Sequence, residues 1–486
     1  MTAPATLRMA GEDFASLARC HPSPTALRIL RDGQVSRRLL MLRDVAAAIR
    51  SSTPDSWEYW GAAAWELCRR ARAADVRAFE EVLLHPHVGV WLGRCLRSLH
   101  DPNPAVRASA ETGRLTGLAA AAALRAGLRP RLALLALDSL IWLPTLGRVR
   151  LTGGAREARL WGDVLDLGGR SLVLGERGEA LDDTGLCAPR RMTAVPPGDA
   201  PSLSVVLEDT DPYRDAHGHP VLPRRTAEEL LAWQVSVAGA WDVVTRLVPE
   251  RAAGYAALWT ALVPLEPPRE GRAVSSAARE AYGAIAATYT ADPVRLAETV
   301  AHESAHIAFG ALADLDDLAD PEDRDLLRVG WRKDPRPIGS ALTGTHAHLA
   351  LLQFWQRRQW ELSGRQARAA RTRLHRYGRQ VARALWDLRT HPALTPSGAD
   401  FVAGMADEAA RCGFPARSLP SVRFPVGSLS FVRPDDPSPV GVASPQAPMR
   451  TREPAASSPD QATADFARDL AHSGRKKADE STPGVD

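Results

Sequence analysis

The sequence has little cysteine and almost no lysine. Its five cysteines are scattered and form no Cys-x-x-Cys pair, so it predicts neither a disulfide framework nor a thiolate metal site. Lysine occurs only at Lys333, Lys476 and Lys477, and arginine supplies the other basic side chains. Because the formal net charge is only +4 over 486 residues, the chain has no strong field that would attract a nucleic acid.

Long apolar segments are also missing. No stretch approaches the roughly 18 uninterrupted apolar residues of a membrane span, and no basic N-terminal region precedes an apolar run. We therefore expect no membrane helix and no signal peptide. Together with the few cysteines, this predicts a cytoplasmic protein without a nucleic-acid or membrane partner. The oligomeric state is not predicted.

Hydrophobic spacing divides the chain into three parts. Residues 1–133 repeat apolar positions at helical spacing and are predicted to form an N-terminal helical region. Residues 134–432 are predicted to form an α+β metal-binding catalytic region, with a small β region over 134–206 and helical patterning from 226 to 263. Residues 433–486 are rich in Pro, Ser and Ala and predict a disordered tail. The expected fold class is α+β, predominantly helical.

The strongest motif is His-Glu-x-x-His at residues 302–306. Asp292 and Pro293 predict the start of a helix, on which His302 and His306 lie one turn apart on the same face and can bind one metal ion. Glu303 is rotated from His302 by about 100°. It can therefore lie beside the metal as a catalytic residue that orients or deprotonates a bound water.

A third metal ligand must come from elsewhere in the chain. His346 and His348 are candidates, but on a helix two residues of separation place them about 200° apart, so only one can face the metal. Asp314, Asp316 and Asp317 follow the motif helix, although carboxylates in such a place are more often on the surface. Arg336 lies between two prolines, and its guanidinium could clamp a carboxylate.

The chain resembles the HExxH-motif peptide-modification proteins, described as α-ketoglutarate-dependent HExxH-type peptide β-hydroxylases, which accompany ribosomally made peptide natural products. The strongest matching positions are 283–285, 296–299, 302–306, 331–332, 334–337, 344–349 and 354–355. The segments 37–40, 85–91, 143–147 and 211–214 agree, so the resemblance spans about residues 26–420. Many unrelated metalloproteases share His-Glu-x-x-His, and its combination with the Asp-Pro-Arg-Pro and Ala-His segments is the specific feature.

The resemblance implies a dioxygenase that uses Fe(II), α-ketoglutarate and O2 to hydroxylate a side-chain β-carbon in a ribosomally synthesised precursor peptide. His302 and His306 would be iron ligands, with His348 as the third and His346 as the alternative. Arg336 would hold the distal carboxylate of α-ketoglutarate. The common iron site of this chemistry has two histidines and one carboxylate, so a role for Glu303 or an aspartate as ligand stays open.

Two other functions remain open from the sequence. The chain could be a zinc metallopeptidase, in which Zn(II)-bound water activated by Glu303 attacks a peptide carbonyl. It could also be a non-catalytic module that binds a precursor peptide, although the presence of both motif histidines and Arg336 argues against that role.

Overall fold

Helix dominates the structure. The computed structural model describes residues 9–108, 111–175, 185–269 and 273–416. Helix accounts for 55% of the chain and strand, in small sheets, for 15%. The predicted α+β, predominantly helical class is therefore confirmed. The tail predicted for residues 433–486 lies outside the described residues.

The described α-helices are numbered in chain order. They are α1 (Gly11–Ala18), α2 (Pro24–Ser52), α3 (Pro54–Ser56), α4 (Ala62–Ala74), α5 (Val76–Leu83), α6 (Pro86–Leu99), α7 (Pro104–Ala108), α8 (Arg114–Arg125), α9 (Ala227–Leu247), α10 (Pro249–Leu258), α11 (Pro293–Ala313), α12 (Ile338–Arg358), α13 (Gly364–Leu388) and α14 (Pro396–Arg411). None of these helices is both long and apolar enough to cross a lipid bilayer.

Strands fill the middle of the chain between α8 and α11. They are β1 (Arg131–Leu135), β2 (Leu140–Leu143), β3 (Gly147–Arg150), β4 (Glu157–Trp161), β5 (Val164–Asp166), β6 (Ser171–Val173), β7 (Leu186–Cys187), β8 (Arg190–Ala194), β9 (Leu203–Leu207), β10 (Ala261–Leu265), β11 (Ser275–Ser276) and β12 (Ala284–Thr288), followed after α11 by β13 (Leu326–Leu327) and β14 (Arg336–Pro337). Strands β1–β7 form two small antiparallel sheets, in the orders β1-β4-β5-β6 and β2-β3-β7.

A five-stranded sheet of order β11-β12-β10-β9-β8 positions the candidate sites. Its inner strands β9, β10 and β12 are parallel, and the outer strands β8 and β11 pair antiparallel with their neighbours. Every residue of β10 and β12 is buried. This burial follows from helices on both faces, which is the usual setting of parallel strands.

Strand β10 corrects the sequence prediction. Helical patterning was expected to continue to residue 263, but α10 ends at Leu258 and residues 261–265 form a strand. A strand that is buried on both faces is continuously apolar and lacks the alternation that distinguishes a strand from a helix. The periodicity of the sequence alone therefore did not separate the two elements.

The motif helix α11 begins where the sequence predicts. The Asp292 carboxylate accepts a hydrogen bond from the Val294 amide at 3.0 Å, and Pro293 occupies the first turn. Asp292 thus pairs one of the free amide groups of the first turn, and Pro293 has no amide hydrogen that would be left unpaired there. The helix packs between α9 and α12, and α12 packs in turn on α13. The face between α11 and α12 carries the histidines of the motif.

Candidate metal centre

His302 and His306 converge on the same side of α11. Their Nε2 atoms are 3.2 Å apart, and their ring centroids are 4.7 Å apart with the planes at 81°. This is the result expected from a separation of one helical turn. Both imidazoles can therefore direct a nitrogen lone pair at one ion.

His348 on α12 lies beside this pair. Its ring centroid is 5.3 Å from that of His302. Its Nδ1 lies 2.8 Å from the carbonyl oxygen of Gly344, so the Nδ1 proton is donated there and the Nε2 lone pair is left for a metal. The indole of Trp331 stacks on the ring at 4.2 Å and fixes its orientation.

The three histidines are partly accessible to solvent. His302, His306 and His348 are each partly exposed, whereas the residues next to them on α11 and α12 are buried. Burial lowers the pKa of His302 to about 4 and that of His348 to about 3, and it holds the pKa of His306 well below its usual value. All three are therefore neutral near pH 7, which is the form that binds metals.

His346 has different surroundings from His348. It is 1% exposed, its Nε2 lies 2.8 Å from the Leu17 carbonyl oxygen, and its Nδ1 lies 3.3 Å from the Ala305 carbonyl oxygen. With both ring nitrogens facing backbone carbonyls, His346 joins α1 and α11 in the core. The structure thus brings His348, rather than His346, to the motif histidines.

Glu303 is buried and bound to strand β11. It is 2% exposed, and its Oε1 accepts a hydrogen bond from the Ser275 hydroxyl at 2.6 Å. Burial raises the pKa of Glu303 to about 7, although hydrogen bonds from Ser275 and from the backbone of Ala277 oppose the shift. In this arrangement the carboxyl group holds α11 to β11.

Glu298 is a carboxylate near the site that the sequence analysis did not identify as functional. It lies one turn before His302 and accepts hydrogen bonds from Trp355 Nε1 at 2.7 Å and from the Tyr377 hydroxyl at 3.0 Å. The Tyr377 ring lies 5.9 Å from that of His348. The available signal was the spacing of residues 298, 302 and 306, which repeats every four residues along one helix face.

Arg336 pairs with Asp334 at 2.9 Å and lies in β14, just before α12. The helix rises about 15 Å between its first residue and His348. The arginines whose charges act on His348, in addition to its burial, are Arg376 and Arg332, and both lower its pKa. The role predicted for Arg336 in holding a cosubstrate carboxylate therefore stays a prediction.

The aspartates after α11 do not join the histidines. Asp314 accepts hydrogen bonds from Arg279 at 2.8 Å and from Gln34 at 2.8 Å. Asp316 and Asp317 are exposed. Asp316 and Asp317 thus lie on the surface as expected, whereas the Asp314 side chain is only 3% exposed and pairs with Arg279.

A second group of possible ligands lies elsewhere in the fold. Among the described residues, one group of at least three His, Cys, Asp or Glu has all its donor atoms within 4.8 Å of one another, namely His85, His87, Glu208 and Asp211. The donors of His302, His306 and His348 are more widely spaced than this. In the sequence, the segments 85–91 and 211–214 stood out only as parts of the resemblance.

Comparison with known proteins adds no relative. No protein-family model matches the chain, and no curated protein is significantly similar to it. The site must therefore be interpreted from its own residues.

Proposed function

We propose that the chain is a non-haem iron(II), α-ketoglutarate-dependent dioxygenase that hydroxylates a side-chain β-carbon in a ribosomally made precursor peptide. The convergence of His302, His306 and His348 in a partly exposed position supports the metal site. The cosubstrate and the peptide follow from the resemblance in sequence.

The donor set fits iron. Imidazole nitrogens bind both Fe(II) and Zn(II). Three imidazole ligands leave coordination positions on the metal for other molecules. Partial exposure of the three rings suits a site that a substrate must reach. The Glu303 carboxyl group is buried and accepts a hydrogen bond from Ser275, and this engagement favours an oxygenase over a hydrolase because hydrolysis needs a carboxylate that is free to act on the bound water.

The residues around the histidines have supporting roles. The Gly344 carbonyl and the Trp331 indole hold the His348 ring in place. Arg336, Arg332 and Arg376 are the candidate cations for the distal carboxylate of α-ketoglutarate. Bound iron would supply the oxygen chemistry, in which one atom of O2 enters the peptide hydroxyl, the other enters succinate, and CO2 is released.

The test is anaerobic reconstitution of the full chain with Fe(II), followed by α-ketoglutarate, O2 and a precursor peptide encoded beside the gene. We expect succinate and a peptide heavier by one oxygen atom, and neither product from the His306→Ala variant. Iron-loaded protein that forms no succinate with any such peptide would contradict the proposal. Replacement of each of the three arginines by Gln, read out as the KM for α-ketoglutarate, identifies the one that binds it.

One observation favours a zinc peptidase as a second candidate. The pKa of Glu303, raised to about 7 by burial, is suited to a general base near neutral pH. In a peptidase the peptide is cleaved by water, and Glu303→Gln abolishes cleavage. In an oxygenase the same substitution should leave hydroxylation largely intact, because Glu303 then serves to hold α11 to Ser275 and takes no part in the reaction.

A further inference from the structure

The group His85, His87, Glu208 and Asp211 lies where an N-terminal helix meets the end of the central sheet. His85 and His87 flank Pro86 at the start of α6. Glu208 follows the last residue of β9, and Asp211 lies in the loop after it. Two segments that are distant in sequence thus contribute two ligand-type side chains each.

The four side chains are close together and enclosed. His85 Nε2 lies 3.1 Å from Glu208 Oε2, and His85 Nδ1 lies 3.6 Å from Asp211 Oδ2. His87 Nδ1 lies 3.9 Å from the same Asp211 oxygen. Side-chain exposure is 9% for His85 and 2% or less for the other three. The site is therefore closed to solvent, unlike the histidines of α11 and α12.

Several polar atoms in this group lack a hydrogen-bond partner. Within the part of the chain that the structure describes, neither ring nitrogen of His87 is hydrogen-bonded, and neither are His85 Nδ1 and Asp211 Oδ2. Buried donors and acceptors are nearly always paired because an unpaired one costs about 1–3 kcal/mol. Unpaired imidazole and carboxylate atoms that face one another indicate a cation between them.

The hydrogen bonds of Glu208 prepare it for such a role. Its Oε1 accepts from the Thr210 amide at 3.0 Å, the Thr210 hydroxyl at 2.8 Å and the Asp211 amide at 2.8 Å. These three bonds fix the carboxylate and leave Oε2 toward the histidines. Oriented ligand oxygens of this kind are characteristic of metal sites.

The charges of these four side chains also favour a bound cation. Glu208 and Asp211 form ion pairs with the two histidines and, among the described residues, with no arginine. The guanidinium of Arg38 donates to the carbonyls of Leu83 and His85, and that of Arg214 donates to the carbonyls of Asp211 and Leu222. Imidazoles that bind a metal are neutral, so in a metal-bound site the two carboxylates would carry the two negative charges that a divalent ion neutralises.

We propose that His85, His87, Glu208 and Asp211 form a second metal site, which binds a divalent first-row transition ion such as Zn(II) in a structural role. Two nitrogens and two oxygens suit this class of ion, and a closed set of four protein ligands is typical of structural sites. The ion joins the start of α6 to the carboxyl end of β9. The proposal stands independently of the function proposed for the α11 histidines.

The test measures the zinc bound by a background protein that lacks the two motif histidines, His302 and His306. Full-length protein carrying His302→Ala and His306→Ala is equilibrated with Zn(II) alone, and bound zinc per chain is measured by mass spectrometry of the metal. We expect one equivalent. Adding Asp211→Asn or His87→Gln should remove it, whereas His100→Gln, an exposed histidine just after the other end of α6, should keep it.

Folding of each variant is checked by circular dichroism. If His87→Gln does not fold, the test relies on Asp211→Asn, which keeps the shape of the side chain. Zinc should also raise the midpoint of thermal unfolding in the background protein but not in its Asp211→Asn derivative. The proposal is overturned if the background protein binds no zinc, since the group is then a protonated His85 between two carboxylates. It is equally overturned if Asp211→Asn and His87→Gln keep the full equivalent.

Discussion

His346 and His348 are two residues apart on α12 but face different surroundings. His346 touches two backbone carbonyls in the core, and His348 lies beside Trp331 and the motif histidines. The helical angle between them, about 200°, allows only one to face the site. The sequence therefore predicts that one of the two histidines faces the site. Which one is buried depends on the packing of α1 against α12.

Alanine substitutions should separate the roles of these two histidines. We expect His348→Ala to weaken metal binding at the proposed first centre at least tenfold, with little loss of stability, because it removes a partly exposed ligand. His346→Ala should keep binding but lower the free energy of unfolding by about 2–4 kcal/mol, since it leaves a cavity and unpaired carbonyls. Metal titration and urea unfolding measure the two effects, and the opposite pattern would make His346 the ligand.

The cysteines offer a second test at the residue scale. Burial raises the pKa of Cys68, Cys95 and Cys412 to about 12 and that of Cys20 well above the usual range, whereas Cys187 is partly exposed. Since the thiolate is the reactive form, one thiol per native chain should react quickly with a disulfide reagent at pH 8. The Cys187→Ser variant should lose that fast phase, and all remaining thiols should react after unfolding. Rapid reaction of several native thiols would contradict the described core.

At the scale of elements, the contact between α12 and the loop before it depends on a glycine. A Cβ at Gly344 would lie 2.9 Å from Trp331 Nε1, too close for the indole to keep its place on His348. We expect Gly344→Ala to displace Trp331 and weaken metal binding several-fold. Gly339 on the same helix has no neighbouring atom within 4 Å of such a Cβ, so Gly339→Ala should keep the affinity and stabilise the helix by about 0.5–1 kcal/mol. Equal metal affinity in both variants would show that the stacking does not matter.

Elements differ in how much of them the sequence reveals. Helix α11 and its histidine pair follow from local rules, since the cap, the proline and the four-residue spacing lie within one segment. Strand β10 was hidden because burial on both faces removes its alternation. The group proposed as a second metal site was not found because His87 and Asp211 meet only through the placement of α6 against β9, which no local pattern specifies.

In the molecule as a whole, the five-stranded sheet separates two apolar clusters. Leu262 and Ile285 belong to the cluster that includes α11 and α12, whereas Val263 and Ala286, next to them in the strands, belong to the cluster that includes α6 and α8. Adjacent residues of a strand face opposite sides, so a single sheet can support both. The motif histidines lie on one side of it, and the second group borders the other.

The first and last described helices pack together, so residues far apart in the chain contribute to one core. Helix α1 contacts α14, where the Phe14 and Phe401 rings lie 5.7 Å apart, and Leu17 on α1 is 2% exposed. We expect Leu17→Ala to lower the free energy of unfolding by about 2–5 kcal/mol. Leu40→Ala, at a position that is 52% exposed, should change it by no more than about 0.5 kcal/mol. Similar effects of both substitutions in urea unfolding would show that α1 is not part of the cooperative core.

Strand β11, only two residues long, touches the surroundings of both centres. The Ser275 hydroxyl binds Glu303 on the motif helix, and the backbone of Ser276 lies beside His217, whose ring packs edge-on against His87. If metal binding at one proposed centre moves this strand, it would change the metal affinity of the other. By thermodynamic reciprocity, if metal binding at the closed site raises the metal affinity of the open site by some factor, metal binding at the open site raises the affinity of the closed site by the same factor. The metal content of one centre would then report on the loading of its neighbour.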